Sequence, residues 1–210
     1  MIYEDYIFYP ATKTNGELVH KNLLNIFNEE ELEIRVRVIT ELKLLFPKEF
    51  PKGDFNKNLL LKYNKYLFGD IFPFAGKIKK WNLGKGQEIL GGYSVRYCPV
   101  QFIESSIDDC CNQLKALKKE TPIENLAKQI ADGWAYLWQI HPFYEGNTRT
   151  TALFMIELLK SKGIEFNEEV MAKKYHDFRN ALVLYSVQQE DKLNNLIWKV
   201  YKQINKRYEQ

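Results

Sequence analysis

The segment HPFYEGNTRTT, residues 141–151, lies between two apolar patterns at helical spacing. Upstream, apolar residues recur every three or four positions from Ile123 to Trp138, and Pro142 then ends the helix. Downstream, a largely apolar stretch extends to Lys162, and Gly163 is a typical stop signal. The sequence therefore predicts a helix that ends at this segment, a short loop, and a second helix over about residues 147–162.

The loop carries a histidine, a carboxylate, a Gly-Asn turn and an arginine, which together suit phosphate chemistry. Backbone N–H groups at the start of a helix, with an arginine in its first turn, form a cradle for anions. Glu145 offers the kind of oxygen ligand that Mg²⁺ takes beside substrate phosphates. His141, with an ordinary pKa of about 6.5, can accept a proton from an attacking hydroxyl. Each residue alone also fits an ordinary cap or turn, so the prediction depends on the combination.

Caps and apolar spacing predict further helices elsewhere in the chain. They fall at about residues 28–45, 54–68, 99–119, 168–187 and 191–207, and a capping box at Thr121-Pro122-Ile123-Glu124 opens the helix before the loop. Residues 74–97 differ, because five glycines there separate short β-prone pieces. We interpret them as a hairpin-like excursion from a helical body. Its basic cluster is interpreted as a solvated face and consists of Lys77, Lys79, Lys80 and Lys85.

Composition excludes several classes of protein. The chain has 30 Lys and Arg residues against 27 Asp and Glu, a net charge of +3 that predicts no nucleic-acid footprint. Its apolar runs are far shorter than the roughly 18 residues of a membrane span, and its N-terminus lacks a signal-peptide layout. Three cysteines, two of them adjacent, cannot form a disulfide framework. We therefore expect a single α-helical domain in the cytoplasm, with no membrane or nucleic-acid partner.

The order of residues in the 141–151 segment resembles the signature of the Fic family, H-x-F-x-[D/E]-G-N-G-R-x-x-R, which lies on a loop between two core helices. Residues 68–78 resemble the family segment that leads into a β-hairpin flap. Residues 82–86 and 96–99 resemble the flap and its exit. The resemblance covers about residues 55–200.

This resemblance implies an all-α Fic fold, a bundle of about seven or more helices with a β-hairpin flap over the active site. It divides the chain into an N-terminal helical extension, residues 1–54, packed on a Fic core, residues 55–210. The flap is expected at about residues 82–97.

Fic proteins transfer part of a nucleotide, most often AMP from ATP, to a hydroxyl side chain of a target protein. By resemblance, His141 is the general base, Phe143 a buried anchor and Glu145 the Mg²⁺ ligand. The resemblance implies that the phosphates are bound by Gly146, Asn147, Thr148 and Arg149. It implies that the target docks on flap residues Asn82, Leu83, Gly84, Lys85 and Arg96. The implied protein is an adenylyltransferase that uses ATP with Mg²⁺. Its implied partners are a target with a Ser, Thr or Tyr hydroxyl and an antitoxin-like regulatory protein.

Two positions depart from the signature. Thr148 replaces the second glycine, and its Cβ restricts positive φ, so the loop must adopt a conformation that threonine tolerates. Ala152 replaces the second arginine, which by resemblance binds the γ-phosphate. Either Lys85 or Arg96 supplies another cation from the flap, or the nucleotide binds differently. The Doc branch of the family also lacks this arginine and resembles a protein kinase.

The departures leave alternatives open beside AMP transfer: a Doc-like kinase, another nucleotidyl transferase, or a catalytically weak interaction module. The missing second arginine also affects the expected regulation. Many Fic proteins are inhibited by a helix with the motif [S/T]-x-x-x-E-[G/N], whose glutamate pairs with that arginine. The nearest string runs from Ser186 to Glu190 and is followed by Asp191. Because Ala152 offers no partner, we predict no glutamate switch of this type.

Overall fold

Helices make up the regular secondary structure of the computed structural model, which describes residues 7–16, 18–47, 50–164 and 174–187. Within these ranges there are six α-helices, three short 3-10 helices and no β-strand. The α-helices are α1 (Glu29–Leu45), α2 (Lys57–Phe68), α3 (Ile103–Lys115), α4 (Ile123–Ile140), α5 (Asn147–Ser161) and α6 (Tyr175–Tyr185). The 3-10 helices are Ala11–Lys13, Glu88–Leu90 and Val100–Phe102.

Asparagine side chains cap the N-termini of two of the helices. Asn28 accepts the N–H of Glu31 at 2.9 Å, which confirms the predicted start of α1. Asn56 accepts the N–H of Leu59 at 3.2 Å, so α2 begins slightly later than predicted. Such a cap satisfies a backbone donor that has no partner inside the helix.

The predicted capping box at the start of α4 is wrong. Pro122 is the N-cap residue, without a side-chain hydrogen bond, and the helix begins at Ile123. The reason is local: the N–H of Thr121 donates to the carbonyl of Lys118 at 3.2 Å, so the threonine belongs to the preceding turn.

Helix α4 packs against three others, α3, α5 and α6. Its apolar stripe includes Ile130, Trp134 and Trp138, none of them more than 2% exposed. Each such side chain contributes about 1.5–3 kcal/mol when it is fully buried. The stripe predicted from the sequence is therefore the centre of the hydrophobic core. Helix α2 packs against α1, α3 and α5 and lies beside the loop that joins α4 to α5.

Residues 82–97, which we call the flap loop, do not form the two strands of the expected β-hairpin. The loop folds back on itself through one isolated bridge between Gly86 and Ser94. Two features replace a ladder: the 3-10 turn at Glu88–Leu90, and the Ser94 hydroxyl, which accepts the N–H of Lys85 at 3.0 Å. The excursion is confirmed, but its hairpin geometry is not.

The remaining predicted helices have different outcomes. The helix expected at 99–119 is a 3-10 turn followed by α3, and that expected at 168–187 is represented by α6. The helix predicted at 191–207 and the glutamate at the end of the Ser186–Glu190 string lie outside the described residues. The division at residue 54 stays a prediction.

No helix in the described ranges is both long and apolar enough to cross a membrane. All three cysteines are free, and Cys110 and Cys111 are buried in α3. The two adjacent cysteines thus pack as small hydrophobic side chains.

Candidate active site

The loop between α4 and α5 is shaped by two left-handed residues. His141 follows the last turn of α4 with φ 50°, and its N–H donates to the carbonyl of Trp138 at 3.1 Å. Gly146 precedes α5 with φ 80°. These two turns bring the histidine back beside the N-terminus of α5, as the sequence predicts.

Asn147 braces this loop. Its side-chain oxygen accepts the N–H of Phe143 and its amide nitrogen donates to the Phe143 carbonyl, each at 2.9 Å. The same nitrogen lies 3.3 Å from His141 Nδ1 and so helps to orient the imidazole. Phe143 itself is 1% exposed, which agrees with the expected buried anchor. Phosphate binding by Asn147 stays a prediction and would use its backbone N–H.

His141 is held between aromatic rings. Its imidazole stacks on Tyr97 with centroids 3.9 Å apart and meets Trp138 edge-on at 6.4 Å. Burial lowers the pKa of His141 to about 3, and the positive charges of Lys79 and Lys85 contribute. The imidazole is therefore neutral at physiological pH, which is the form that can accept a proton.

Glu145 is ionised although its side chain is only 24% exposed. Burial by itself raises the pKa of this carboxyl, but Lys85, His20, Arg149 and the Gly146 N–H favour the charged form and bring the pKa below its ordinary value. Oε1 accepts the Gly146 N–H at 2.8 Å and lies 3.6 Å from Arg149 Nη2. No cluster of three or more His, Cys, Asp or Glu residues suited to a metal occurs in the part of the chain that the structure describes. A cation here would use the carboxylate together with oxygens from a bound ligand.

Arg149 contacts three different elements. Its Nη1 donates to the Thr40 hydroxyl of α1 at 3.1 Å, and its guanidinium lies 4.9 Å from the centre of the Phe68 ring at the end of α2. With the Glu145 contact, these interactions fix the arginine at the N-terminus of α5. Its role as a phosphate ligand stays a prediction.

The two glycine positions of the signature have different requirements. A Cβ on Gly146 would lie 2.1 Å from Phe68 Cε2, so the site requires glycine for space as well as for its positive φ. Thr148 lies within the first turn of α5 and is not among the residues with positive φ. Its hydroxyl accepts the indole N–H of Trp138 at 3.0 Å and joins α5 to α4. The threonine is therefore accommodated without strain.

The flap loop brings some of its predicted residues to the site. Lys85 is close enough to lower the pKa of both His141 and Glu145. Arg96 is exposed, and its carbonyl accepts a hydrogen bond from the α4 residue Gln139 at 3.1 Å. Of the two cations proposed to replace the missing arginine, the structure thus favours Lys85.

The other flap positions have structural contacts. Asn82 Oδ1 accepts the N–H of Val100 at 3.0 Å, and Leu83 lines a cavity with Asn82. A Cβ on Gly84 would meet Ser94 at an ordinary distance. Target docking by these residues stays a prediction.

The interpretation of the basic cluster as a solvated face is wrong at Lys79. Lys79 is 2% exposed, whereas its neighbour Lys80 is exposed. The backbone explains the difference, because the N–H of Lys79 donates to the Pro142 carbonyl at 2.8 Å and that of Lys80 to the Tyr144 hydroxyl at 2.9 Å. These bonds hold residues 79 and 80 against the loop between α4 and α5, and the side chain of Lys79 is the one that becomes buried.

Sequence reasoning missed several residues that hold the site together. Tyr97 stacks on His141, and its hydroxyl accepts the Nε2–H of Gln87 at 3.1 Å. Gln87 Oε1 accepts Arg179 Nη2 of α6 at 2.7 Å. Nothing in a glutamine within a glycine-rich loop predicts these contacts, although Tyr97 lies in the flap exit that the resemblance had identified.

Asn64 of α2 was also missed. Its amide donates to the Glu145 carbonyl at 3.2 Å and to the Thr150 hydroxyl at 3.0 Å, and its oxygen accepts the Gly76 N–H at 2.7 Å. A signal existed, because Asn64 is a polar residue four positions after Leu60, on the buried face of an apolar helix.

Comparison with known sequences identifies one family. The model of the Fic/DOC family matches residues 54–159, about half of the chain. A protein of Sinorhizobium fredii (strain NGR234), named probable protein adenylyltransferase y4lH, is 26% identical over 174 residues, which cover 81% of this chain and 83% of that protein.

Solved structures share the fold. The chain matches BepC from Bartonella tribocorum with bound AMPPNP at a TM-score of 0.73, with 20% identity, over 95% of this chain and 98% of that one. It matches the N-terminal Fic domain of a VirB-translocated Bep effector protein from Bartonella quintana with bound ADP at a TM-score of 0.69. There the identity is 20%, over 93% of this chain and 94% of that one. At these identities the likeness concerns the all-helical fold.

Proposed function

The chain belongs to the Fic/DOC family, and from that premise we propose that it is a protein adenylyltransferase. It transfers AMP from ATP to a hydroxyl side chain of a target protein. The observation that carries this proposal is that a neutral His141 and an ionised Glu145 lie on one short loop that leads into the N-terminus of α5.

In the proposed reaction the bonds at phosphorus form and break within the two substrates, and the protein accepts a proton. The target oxygen forms a bond to the α-phosphorus, the bond from the α-phosphorus to the bridging oxygen breaks, and pyrophosphate leaves. His141 takes the proton of the attacking hydroxyl, which a neutral imidazole can do and an imidazolium cannot. Tyr97 and Asn147 hold that ring in place, so the base is oriented before the target binds.

The phosphates are proposed to lie at the start of α5. The first N–H groups of a helix have no partner within it, and the helix dipole adds partial positive charge there. Gly146 lets the backbone pass close to the Phe68 ring as it turns into α5, and Arg149 adds a fork of donors. Glu145 fits Mg²⁺ as one hard, ionised oxygen ligand, and such a cation neutralises charge on the pyrophosphate.

Two comparisons support the proposal from outside the chain. The similar Bartonella domains hold AMPPNP and ADP, which supports nucleotide binding in this fold. The name of the Sinorhizobium protein supports transfer of AMP.

One observation favours a second candidate, phosphoryl transfer. Ala152 lies one turn after Arg149 on α5, where the signature has an arginine for the γ-phosphate. Without that contact the nucleotide could bind in the opposite direction and present its γ-phosphorus to the hydroxyl.

ATP labelled at either the α- or the γ-phosphate separates the candidates. The protein is incubated with each label and a lysate of the source organism, and labelled proteins are detected on a gel. We expect label from the α-phosphate only. Label from the γ-phosphate only would establish phosphoryl transfer instead, and no label from either would support a catalytically weak interaction module.

The histidine controls make this test specific. His141→Ala should lower transfer by about 10²-fold or more if the histidine is the base. His176→Ala is the matched control, because His176 is an exposed histidine on α6 and should leave transfer unchanged.

A further inference from the structure

Lys79 is a buried cation that has no direct part in the proposed reaction, although its charge helps to keep His141 neutral. In the sequence it stands between α2 and the flap loop, and it is 2% exposed. Its Nζ is buried and has no hydrogen-bond partner among the residues that the structure describes. Lys43 and Lys57, in contrast, form ion pairs with Asp70 and Glu104 at 2.9 and 2.6 Å.

An ammonium in this position is costly to keep. A buried charge without an acceptor loses its hydration and gains little in return. The Tyr97 ring offers partial compensation, since Nζ lies 5.6 Å from its centre. Burial accordingly lowers the pKa of Lys79 to about 8, and an anionic partner would restore its ordinary protonation.

A cavity of about 220 Å³ opens beside this lysine. Its walls are Lys79, Asn82, Leu83, Tyr97, Cys98 and Pro99. For comparison, a protein cavity of about 150 Å³ can hold benzene, so this space accommodates an amino-acid side chain. Apolar atoms of Leu83 and Pro99 suit the methylene part of such a side chain.

The cavity is close to the catalytic base. The Tyr97 ring that lies 5.6 Å from Lys79 Nζ also stacks on His141 at 3.9 Å. One residue of an extended chain spans roughly 3.5 Å, so a group in the cavity and a hydroxyl at His141 can belong to residues within about three positions of each other.

We propose that this cavity, the Lys79 pocket, binds the carboxylate side chain of an aspartate or glutamate in the target segment, near the hydroxyl that is modified. The inference rests on the proposed transfer to a protein hydroxyl. A carboxylate fits better than a phosphate, because a single ammonium with partly apolar walls balances one negative charge and not two. The nucleotide phosphates have their own cradle at the start of α5.

Binding is tested first without any transfer. Wild-type protein is titrated with N-acetyl-glutamate amide and with its neutral isostere N-acetyl-glutamine amide, and the amide NMR signals of Asn82, Leu83 and Cys98 are followed. We expect the acid to bind at least about tenfold more tightly, the ratio typical of one charge-assisted hydrogen bond. Equal affinities for the two probes would overturn the proposal, and this comparison needs no variant.

Variants then assign the effect to the lysine. Lys79→Met keeps the length of the side chain and removes its charge, so it should bind both probes equally weakly. Lys80→Met is the matched control, because Lys80 is the exposed neighbour and its backbone bond to Tyr144 is unchanged. Acid binding that persists in Lys79→Met would also overturn the proposal.

A peptide array separates this inference from the proposed function. Serine, threonine and tyrosine peptides with glutamate or glutamine at each of three positions on either side are incubated with α-labelled ATP. We expect glutamate peptides to be labelled about tenfold more, with the preference lost in Lys79→Met. Labelling without any acidic preference would contradict the pocket and keep the adenylyltransferase. Probe binding without α-label in any peptide or lysate protein would keep the pocket and contradict the adenylyltransferase.

Discussion

His141 owes its chemistry to the side chains around it. Tyr97 and Trp138 pack against the imidazole and reduce its contact with water, and two lysines add positive charge nearby. Both effects disfavour a proton on the ring, so the folded chain keeps the histidine neutral well below the pH at which an exposed histidine becomes charged.

The shifted pKa predicts how stability depends on pH. An unfolded histidine has a pKa of about 6.5, whereas that of folded His141 is about 3. Between these two pKa values His141 binds a proton in the unfolded chain but not in the folded chain. The folded state therefore keeps its full stability above the pKa of the unfolded histidine and loses stability as the pH falls below it. At pH 5 the loss amounts to about 2 kcal/mol.

Urea unfolding at pH 7 and pH 5 measures this difference. The decrease in the free energy of unfolding should be about 2 kcal/mol smaller in His141→Gln than in the wild type. His176→Gln should behave like the wild type. An equal decrease in all three proteins would contradict the low pKa.

Thr148 provides a second prediction about a single residue. The hydroxyl accepts the Trp138 indole N–H, and the residue is helical, so Thr148→Gly loses a hydrogen bond and gains backbone freedom in the unfolded state. The free energy of unfolding should fall by about 2 kcal/mol. Thr148→Ser keeps the hydroxyl and should lose much less. A glycine variant as stable as the wild type would show that the position favours the residue of the family signature.

Helix α2 helps to fix the conformation of the loop between α4 and α5. Asn64 bonds the Glu145 carbonyl, and Phe68 packs against Gly146 and beneath Arg149. The geometry of the loop is therefore set jointly by α4, α5 and a helix that lies far away in the sequence.

This packing predicts a strong effect of Gly146→Ala. Alanine at φ 80° is strained, and its Cβ would lie 2.1 Å from the buried Phe68 ring. We expect a loss of about 3 kcal/mol in the free energy of unfolding together with weaker ATP binding by calorimetry. The double variant with Phe68→Leu should recover part of the stability. Gly84→Ala, where the nearest atom is 3.6 Å away, should cost little, and an equal loss at both glycines would refute the argument.

Helix α5 offers a place to restore the missing arginine. Ala152 lies one turn beyond Arg149 on the same face and is half-buried. For an adenylyltransferase, Ala152→Arg should lower the KM for ATP about tenfold through a charge-assisted contact to the γ-phosphate. Ala152→Leu adds volume without charge and should not lower it. An unchanged KM in the arginine variant would mean that the γ-phosphate lies elsewhere.

Local signals account for much of what the sequence predicted. Caps, prolines and apolar spacing act over a few residues, so α1, α4 and α5 and the loop with His141 were predicted close to their observed bounds. The β-hairpin was mispredicted because a glycine-rich segment does not reveal that a 3-10 turn and the Ser94 hydroxyl replace the ladder.

Long-range contacts were beyond the reach of these signals. Gln87 bonds Arg179 across 92 positions of sequence, and the burial of Lys79 depends on backbone bonds to the loop between α4 and α5. In the sequence alone, Lys79 is one lysine among several in a basic stretch. The missed residues thus share a cause, since each acquires its role from a partner that only the tertiary fold supplies.

At the scale of the whole molecule, α6 is connected to His141 through a chain of side-chain contacts. Arg179 donates to Gln87, Gln87 donates to Tyr97, and Tyr97 stacks on His141. Gln87 also closes the flap loop through its own backbone, since its N–H donates to the Tyr93 carbonyl and its carbonyl accepts the Gly92 N–H. The helix therefore supports the flap loop and His141 through the buried side chain of Gln87.

Arg179→Met tests this connection. The variant leaves the side-chain oxygen Oε1 of the buried Gln87 without its charged donor, so the flap loop should open more often. Hydrogen exchange at the Gln87 and Gly92 amides should become about tenfold faster, while exchange within α4 should stay the same. Asp177→Asn, an exposed change on the same helix, should leave both unchanged. If the flap loop exchanges at the wild-type rate in Arg179→Met, the loop is held by its own turn and bridge, and α6 contributes nothing to the position of His141.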